Sequence, residues 1–360
     1  MNMGPVAPVP LLRGLHCRRP LRALRALWAC TSLTLCMGLA LAGCSALSTN
    51  PGASGSPSST AGRPVLNVVA SFYVIQYFAQ RIGGDRVQVF NPVPPGAEPH
   101  DVELSPRTIE RMHQADVFLY LGEGFQPAVD RALDTIRRPG MIVRDVSEGV
   151  QFLPAVDHAE QQGQGHEQSA QAGTPQAGHR EGAVVVDPHI WLDPIRAQTM
   201  AANIAGALSQ ATPADEASFR ANADRLEAEL AAVDKEFKEG LKNCKRREII
   251  TSHAAFAYLA SRYGLVQVPI LGLSPEAEPS PAQLEQIVRF AREHQAAYIF
   301  VETLVDPRVA QVVARETGAR LLVLNPIEGL TPEQAKEGKT YFDLMRENLS
   351  NLKIGLECGP

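Results

Sequence analysis

The sequence lacks a pronounced excess of charge of either sign. It has 34 lysine and arginine residues against 39 aspartate and glutamate residues, for a formal net charge of −5, and the two signs are interleaved. Proteins that bind nucleic acid usually concentrate basic residues in a patch or stripe. Because this chain has neither a basic stripe nor an acidic tail, we predict no nucleic-acid partner and look for partners through specific sites.

The sequence also lacks an apolar run of the length that a transmembrane helix needs, about 20 residues. A shorter apolar run, residues 26–42, follows a segment rich in arginine and precedes small residues. This succession is typical of a secretory signal, and the ending "LAGC" resembles the lipobox of bacterial lipoproteins. We predict a signal peptide over residues 1–43 and lipidation of Cys44; a retained transmembrane anchor is the alternative.

Cysteine is scarce in the rest of the chain. Three of the six cysteines belong to the predicted signal peptide: Cys17, Cys30 and Cys36. With Cys44 carrying lipid, only Cys244 and Cys358 remain. An oxidising compartment allows such a pair to form a disulfide, but geometry decides whether it does, so the sequence leaves this pairing open.

Two polar segments separate the parts that can fold. Residues 44–63 are rich in Ser, Gly, Pro and Ala, and such a composition cannot bury enough apolar surface to form a core. We predict a flexible tether there. Residues 157–182 are polar and of low complexity and contain His158, His166 and His179, which predicts a loop.

Strands and helices alternate in the rest of the chain. Predicted strands are "VLNVVASF", "VQVFN", "DVFLYLG", "GMIVRDV", "REIITSH", "AAYIFVET" and "RLLVLNP", and helices are predicted around residues 105–115, 281–294 and 306–317. The first of these helices should begin with Ser105 as its N-cap and Pro106 at its first position. This alternation predicts βαβ units with parallel sheets.

One long amphipathic pattern interrupts the alternation at residues 213–241. Apolar residues recur at helical spacing along one face: Phe219, Leu226, Leu230, Val233, Phe237 and Leu241. A helix of this length spans roughly 40 Å. We therefore predict an α/β protein whose N-terminal lobe (residues 64–212) and C-terminal lobe (residues 244–360) are joined by one long rigid helix (residues 213–243).

Three histidines follow runs of β-type residues and lie in the turns after them. They are His100 in "VPPGAEPHD", His189 in "VVVDPHIW" and His253 in "IITSHAAF". Open α/β sheets bind ligands at the carboxyl ends of their strands, and neutral imidazole is the commonest metal ligand. Because prolines beside His100 and His189 restrict the backbone, we predict that the three side chains converge on one cleft between the lobes.

A carboxylate in the last turn would complete a metal site. Glu328 lies in "VLNPIEGLTPEQ", and Glu302 in "FVETLVD" is a possible substitute for it. Three imidazoles and one carboxylate fill a tetrahedral zinc site and leave no position for an activated water. This favours capture of the ion over catalysis.

The roles of four neighbouring residues follow less directly from the sequence. Asp187 and Asp193 flank His189, and either they orient its ring or they cap turns. His113 and His294 lie on predicted helices, and we expect both to be exposed to solvent.

From about residue 65 to the end, the chain resembles the solute-binding lipoproteins of ABC-type zinc and manganese importers. The resemblance is carried, in order, by "PPGAEPHDVELSPRTIERMHQADVFLYLGEGFQ", "DPHIWLDPIRAQTMAANIAGAL", "TSHAAFAYLASRYGL" and "EPSPAQLEQIV". It implies two α/β lobes joined by a long rigid helix, with the metal between them and with His100 and His189 at the first two ligand positions.

The last two positions distinguish the metals within that family. The resemblance implies Glu at the third position and Asp in the final turn of manganese members, where this chain has His253 and Asn325. Zinc members with an "LNP-x-E" turn use the glutamate, which is Glu328 here. Because nitrogen donors suit zinc and manganese prefers oxygen, we predict Zn²⁺ as the transported ligand. The loop at residues 157–182 then either gathers zinc weakly or is a solvated insert.

We therefore predict a monomeric, membrane-anchored lipoprotein outside the cytoplasm. It captures Zn²⁺ and delivers it to the permease of an ABC-type importer, and it is not an enzyme. The alternatives are a manganese-binding member of the same family, a zinc hydrolase and an adhesin. A hydrolase would need an open coordination position and a general base, and the sequence has no His-Glu-x-x-His motif.

Overall fold

The computed structural model describes residues 65–155 and 185–359. The predicted signal peptide, Cys44, the tether at residues 44–63 and the histidine-containing loop at residues 157–182 lie outside the described residues. Within the two described ranges, no helix combines the length and the apolar character that crossing a membrane requires.

A parallel sheet organises the first part of the chain. Its four strands pair in the order β2-β1-β3-β4. The elements are β1 (Leu66–Ala70), α1 (Tyr73–Gly83), β2 (Val87–Phe90), α2 (Pro106–His113), β3 (Val117–Tyr120), α3 (Pro127–Ile136), β4 (Ile142–Asp145) and α4 (Pro194–Ala211).

A second parallel sheet follows the long helix α5 (Glu216–Leu241). Its four strands pair in the equivalent order, β6-β5-β7-β8. The elements are β5 (Glu248–Thr251), α6 (Ala257–Tyr263), β6 (Val266–Pro269), α7 (Pro281–Glu293), β7 (Tyr298–Val301), α8 (Arg308–Thr317), β8 (Arg320–Val323), α9 (Pro332–Glu337) and α10 (Tyr341–Gly355). The predicted α/β class with two parallel sheets is confirmed.

Helix α5 connects the two sheets. It follows a 3₁₀ turn at Pro213–Asp215, and all six apolar residues predicted for one face are buried. That face packs against α1 and α4 beside the first sheet and against α10 beside the second. Its 26 residues correspond to about 39 Å at the rise of an α-helix, so one continuous helix contacts both halves of the molecule.

The start of α2 shows how local sequence sets an element's boundary. The Ser105 side chain accepts a hydrogen bond from the backbone N–H of Thr108, and Pro106 occupies the first helical position. This satisfies one of the N–H groups that a helix start leaves unpaired. Both features are as predicted, and they end the loop that carries His100.

The prediction that each histidine lies in the turn directly after a strand is wrong for two of the three, His100 and His189. In the described part of the run before His189, Val185 and Val186 belong to neither sheet, and Val186 forms only one isolated antiparallel bridge with Pro154. His100 lies in a long loop after β2, well beyond the last strand residue, Phe90. Only His253 follows a sheet strand closely, since β5 ends at Thr251. β-Branched residues favour extended backbone, but a neighbouring strand decides whether they join a sheet.

Cys244 and Cys358 form a disulfide across a sequence separation of 114 residues. Backbone hydrogen bonds flank it on both sides, from Gly359 N to Asn243 O (3.0 Å) and from Arg246 N to Leu356 O (3.1 Å). The bridge therefore ties the end of the chain to the segment between α5 and β5.

We expect the Cys244→Ser, Cys358→Ser double variant to have a free energy of unfolding lower by about 2–5 kcal/mol, because the bridge restricts the unfolded chain across a long loop. Urea unfolding followed by circular dichroism measures this difference. Wild-type protein treated with a reductant should match the variant. An unchanged midpoint in both would show that the bridge does not stabilise the fold.

Candidate metal centre

Four side chains converge where the two halves of the molecule meet. They are the four predicted from the sequence: His100, His189, His253 and Glu328, and one ligand atom from each lies within 4.8 Å of the others. Glu328 Oε1 lies 3.5, 3.1 and 3.4 Å from the Nε2 atoms of His100, His189 and His253, respectively. One carboxylate oxygen thus faces three imidazole nitrogens.

Each of these side chains is placed by a different element. His100 lies in the loop between β2 and α2, and His189 precedes a 3₁₀ turn that leads into α4. His253 follows β5, and Glu328 lies in the turn between β8 and α9. Three of the four are almost completely buried, whereas the His100 side chain is 9% exposed. Solvent therefore reaches the cluster beside His100.

Two carboxylates contact His189 and His253 at Nδ1, the ring nitrogen that does not face Glu328. Asp187 Oδ1 lies 2.7 Å from His189 Nδ1 and accepts a hydrogen bond from the backbone N–H of His189. Glu302 Oε2 lies 2.7 Å from His253 Nδ1, and its other oxygen accepts from the backbone N–H of His253. A carboxylate on one ring nitrogen fixes the tautomer and directs the other nitrogen at a metal.

The geometry distinguishes the roles of three carboxylates that the sequence left open: those of Glu302, Asp187 and Asp193. Glu302, considered as a substitute for Glu328, lies against His253 Nδ1, while Glu328 faces all three Nε2 atoms. Asp193 accepts from the backbone N–H of Ile195 at the start of α4 and pairs with Arg196 and Arg262. Of the two flanking aspartates, Asp187 therefore contacts the ring of His189, whereas Asp193 caps a helix.

Helices of the second half hold the segment around His189 in place. The Tyr258 hydroxyl of α6 donates to Asp187 O (2.7 Å), and the Tyr341 hydroxyl of α10 donates to Trp191 O (2.6 Å). Trp191 Nε1 in turn donates to Pro326 O at 2.7 Å. Sequence reasoning missed these residues because their partners are distant in the chain. The position of His189 is consequently fixed from both halves.

Glu98 is a further acidic group beside the cluster, and sequence reasoning missed it. Its Oε1 accepts from the backbone N–H of His100 at 3.2 Å. Burial, followed by repulsion from Glu328, raises the pKa of Glu98 to about 9. At neutral pH it is a neutral acid and adds no negative charge to the cluster. The available signal was an acidic residue two positions before a histidine in a proline-rich loop.

Charge and burial oppose each other within the cluster. Burial alone lowers the pKa of His189 and His253, but Asp187, Glu302 and Glu328 outweigh burial and raise both pKa values. Burial alone raises the pKa of Glu328, but the three histidines close to its carboxylate outweigh burial and hold this pKa well below its usual value. The carboxylate is therefore ionised, and a cation can take the place of the protons that it attracts.

The two histidines predicted to be exposed lie outside this cluster. His113 Nδ1 is 2.9 Å from Ile136 O, and the ring of His294 stacks on Phe290 at the end of α7. Both residues are exposed.

The donor set indicates which ion the cluster can hold. Three imidazole nitrogens and one carboxylate oxygen match the ligands of tetrahedral zinc, whereas manganese prefers oxygen donors. With four protein ligands, no coordination position is left for a nucleophilic water. The arrangement suits binding of an ion rather than catalysis.

Comparison with known proteins identifies similar chains. A family model described as the periplasmic component A of the zinc-uptake complex (ZnuA) matches residues 68–355. The zinc-binding lipoprotein AdcA of Streptococcus pneumoniae serotype 4 is 35% identical over 288 residues, which cover 80% of this chain and 55% of AdcA. The high-affinity zinc uptake system protein ZnuA of Bacillus subtilis is 34% identical over 291 residues, 81% of this chain and 88% of that protein.

Solved structures agree with these matches. The Zn(II)-bound ZnuA-like domain of Streptococcus pneumoniae AdcA superposes with a TM-score of 0.66 and 33% identity, and the match covers 81% of this chain and 99% of that domain. The chain spans about half the length of the AdcA protein that it matches, 55%. The family resemblance inferred from the sequence is confirmed.

We expect Asp187→Asn to weaken zinc binding about 10- to 100-fold, because loss of a carboxylate behind a metal-bound imidazole disturbs its tautomer and orientation. Calorimetric titration with Zn²⁺ measures the change. Asp116→Asn is a matched control, since Asp116 accepts from a backbone N–H in the same half of the molecule, that of Asn67. Equal affinities of the two variants would contradict the orienting role of Asp187.

Proposed function

We propose a function from one premise: the chain belongs to the ZnuA family of periplasmic zinc-uptake components. It captures Zn²⁺ outside the cytoplasm and delivers the ion to the permease of an ABC-type importer. His100, His189, His253 and Glu328 are its ligands. The proposal also includes a lipid anchor at Cys44, which keeps the protein at the membrane surface.

One observation carries this proposal: a buried carboxylate oxygen lies 3.1 to 3.5 Å from three imidazole nitrogens. Neutral imidazoles and an ionised carboxylate are the forms that coordinate a metal. Two of the imidazoles have a carboxylate on their other nitrogen, a common arrangement at zinc sites. Because one chain supplies all four ligands, a monomer is sufficient.

The donor set supports transport of zinc over a manganese carrier and over a zinc hydrolase. A manganese carrier would favour more oxygen ligands than the single carboxylate of Glu328. A zinc hydrolase needs an open coordination position for its water, and a fourth protein ligand occupies that position. The cargo is held by desolvated ligands and released to a partner, without a chemical step.

Metal analysis of protein purified without a chelator should find one zinc ion per chain. We expect His189→Ala to abolish tight zinc binding, because it removes a completely buried ligand. The variant protein should remain folded. Calorimetric titration and circular dichroism measure the two properties. His294→Ala, which replaces an exposed histidine, should bind zinc as the wild type does. Bound manganese, or unchanged zinc affinity in His189→Ala, would overturn the proposal.

Zinc affinity should decrease as the pH is lowered from about 8 to about 6, because protonated imidazole cannot coordinate a metal. The raised pKa values of His189 and His253 mean that protons compete at a higher pH than the ordinary histidine value of 6.5. The decrease therefore begins above pH 6.5. Competition titrations against a chromophoric chelator at several pH values test this, and a constant Kd across the range would contradict it.

A further inference from the structure

The turn that carries Glu328 contains a residue in an unfavourable backbone conformation. Ile327 has φ 62°, in the left-handed region. A β-branched residue rarely adopts this region, and such conformations persist only where the surroundings hold them. Ile327 is completely buried and directly precedes Glu328. The position of the carboxylate therefore depends on whatever holds this turn.

Hydrogen bonds within the turn and from the first half of the molecule provide part of the restraint. Asn325 Oδ1 accepts from the backbone N–H of Ile327 at 2.7 Å. Pro326 O accepts from Trp191 Nε1, also at 2.7 Å. The Asn325 side chain thus shapes the turn at the position where manganese members of the family are expected to have a ligand.

Helix α10 provides the rest of the restraint on this turn through Asn348. Its Oδ1 accepts from the backbone N–H of Asn325 at 2.8 Å, and its Nδ2 donates to the carbonyl oxygen of Asn325 at 2.6 Å. Both residues are buried, with 1% and 4% exposure for Asn348 and Asn325. One amide therefore satisfies both backbone groups of Asn325, as a neighbouring strand would.

This pairing is located where the sheet ends. β8 is one of the two edge strands in the order β6-β5-β7-β8 and stops at Val323. Leu324 N still donates to Val301 O of β7, but beyond it the chain turns towards Glu328. Only a side chain with both a donor and an acceptor can pair with the backbone N–H and the C=O of one residue. An amide has both.

We propose that Asn348 is a positioning residue for Glu328. It holds the strained turn at Asn325, so that Glu328 Oε1 faces the three imidazoles before an ion arrives. This inference rests on the proposed zinc-binding function. Without Asn348 the turn can relax at Ile327, and Glu328 then no longer completes the ligand set.

The variant Asn348→Ala tests this role. We expect its affinity for Zn²⁺ to decrease about 10- to 100-fold, the range found when groups that orient a metal ligand are removed. Asn351→Ala is a matched control: Asn351 lies one turn further along α10 and donates to Val323 O at 2.8 Å. It should bind zinc as the wild type does.

A double-variant cycle separates positioning from a general structural effect. In a Glu328→Gln background, Asn348→Ala should change zinc affinity less than about twofold, because the two substitutions remove the same interaction. Asn348→Ser covers the case in which the alanine variant does not fold. The serine side chain is shorter and has a single oxygen in place of the separate oxygen and nitrogen of the amide, so it does not reach both backbone groups of Asn325 at once. The affinity of Asn348→Ser should also be lower than that of Asn351→Ala.

The outcomes distinguish this inference from the function on which it rests. A wild-type protein that binds no zinc overturns both. A wild-type protein that binds zinc, with Asn348 variants equal to Asn351→Ala, overturns only the positioning role. An equal loss of affinity with and without Glu328→Gln also overturns it, because the effect would then not act through Glu328.

Discussion

The ionised carboxylate of Glu328, buried among three imidazoles, is the interaction on which the rest of the site depends. A buried charge is very unfavourable unless it is paired and hydrogen-bonded. Glu328 is 1% exposed and is paired with three histidines, two of which are in turn paired with Asp187 and Glu302. Carboxylates and imidazoles therefore alternate outward from the centre, so each buried carboxylate of the cluster has an imidazole partner.

The fold holds these groups in place before an ion binds. The segment around His189 enters α4 in the first half of the molecule, yet Tyr258 and Tyr341 of the second half hydrogen-bond to it. Helix α5 contacts both halves. Ligands fixed in advance lose little conformational freedom on binding, which favours tight binding. His100, the most exposed of the four, lies on the loop between β2 and α2.

The strained turn at Ile327 is likewise held in place by the surrounding fold. A left-handed isoleucine lowers the stability of the folded chain, and the surroundings must compensate for it. Asn325, Asn348 and Trp191 do so with hydrogen bonds that converge on three successive residues. The turn is thus held at a fixed geometry directly before Glu328.

The sequence by itself determined the features that depend on local patterns. Alternating β-type and amphipathic segments predicted the α/β class, helical spacing predicted the buried face of α5, and Ser105 with Pro106 predicted the start of α2. The four clustered side chains could be named because short motifs and their order along the chain identified them. Each of these signals lies within a few residues, where backbone preference and side-chain periodicity act directly.

Tertiary structure alone decided the contacts between distant segments. It paired Cys244 with Cys358, placed Glu302 behind His253 and left Val185 and Val186 outside both sheets. It also brought Asn348 to the turn of Glu328. No local pattern encodes such pairs, because whether two polar groups meet depends on how whole helices and sheets pack. Burial then determines how much each contact contributes to stability.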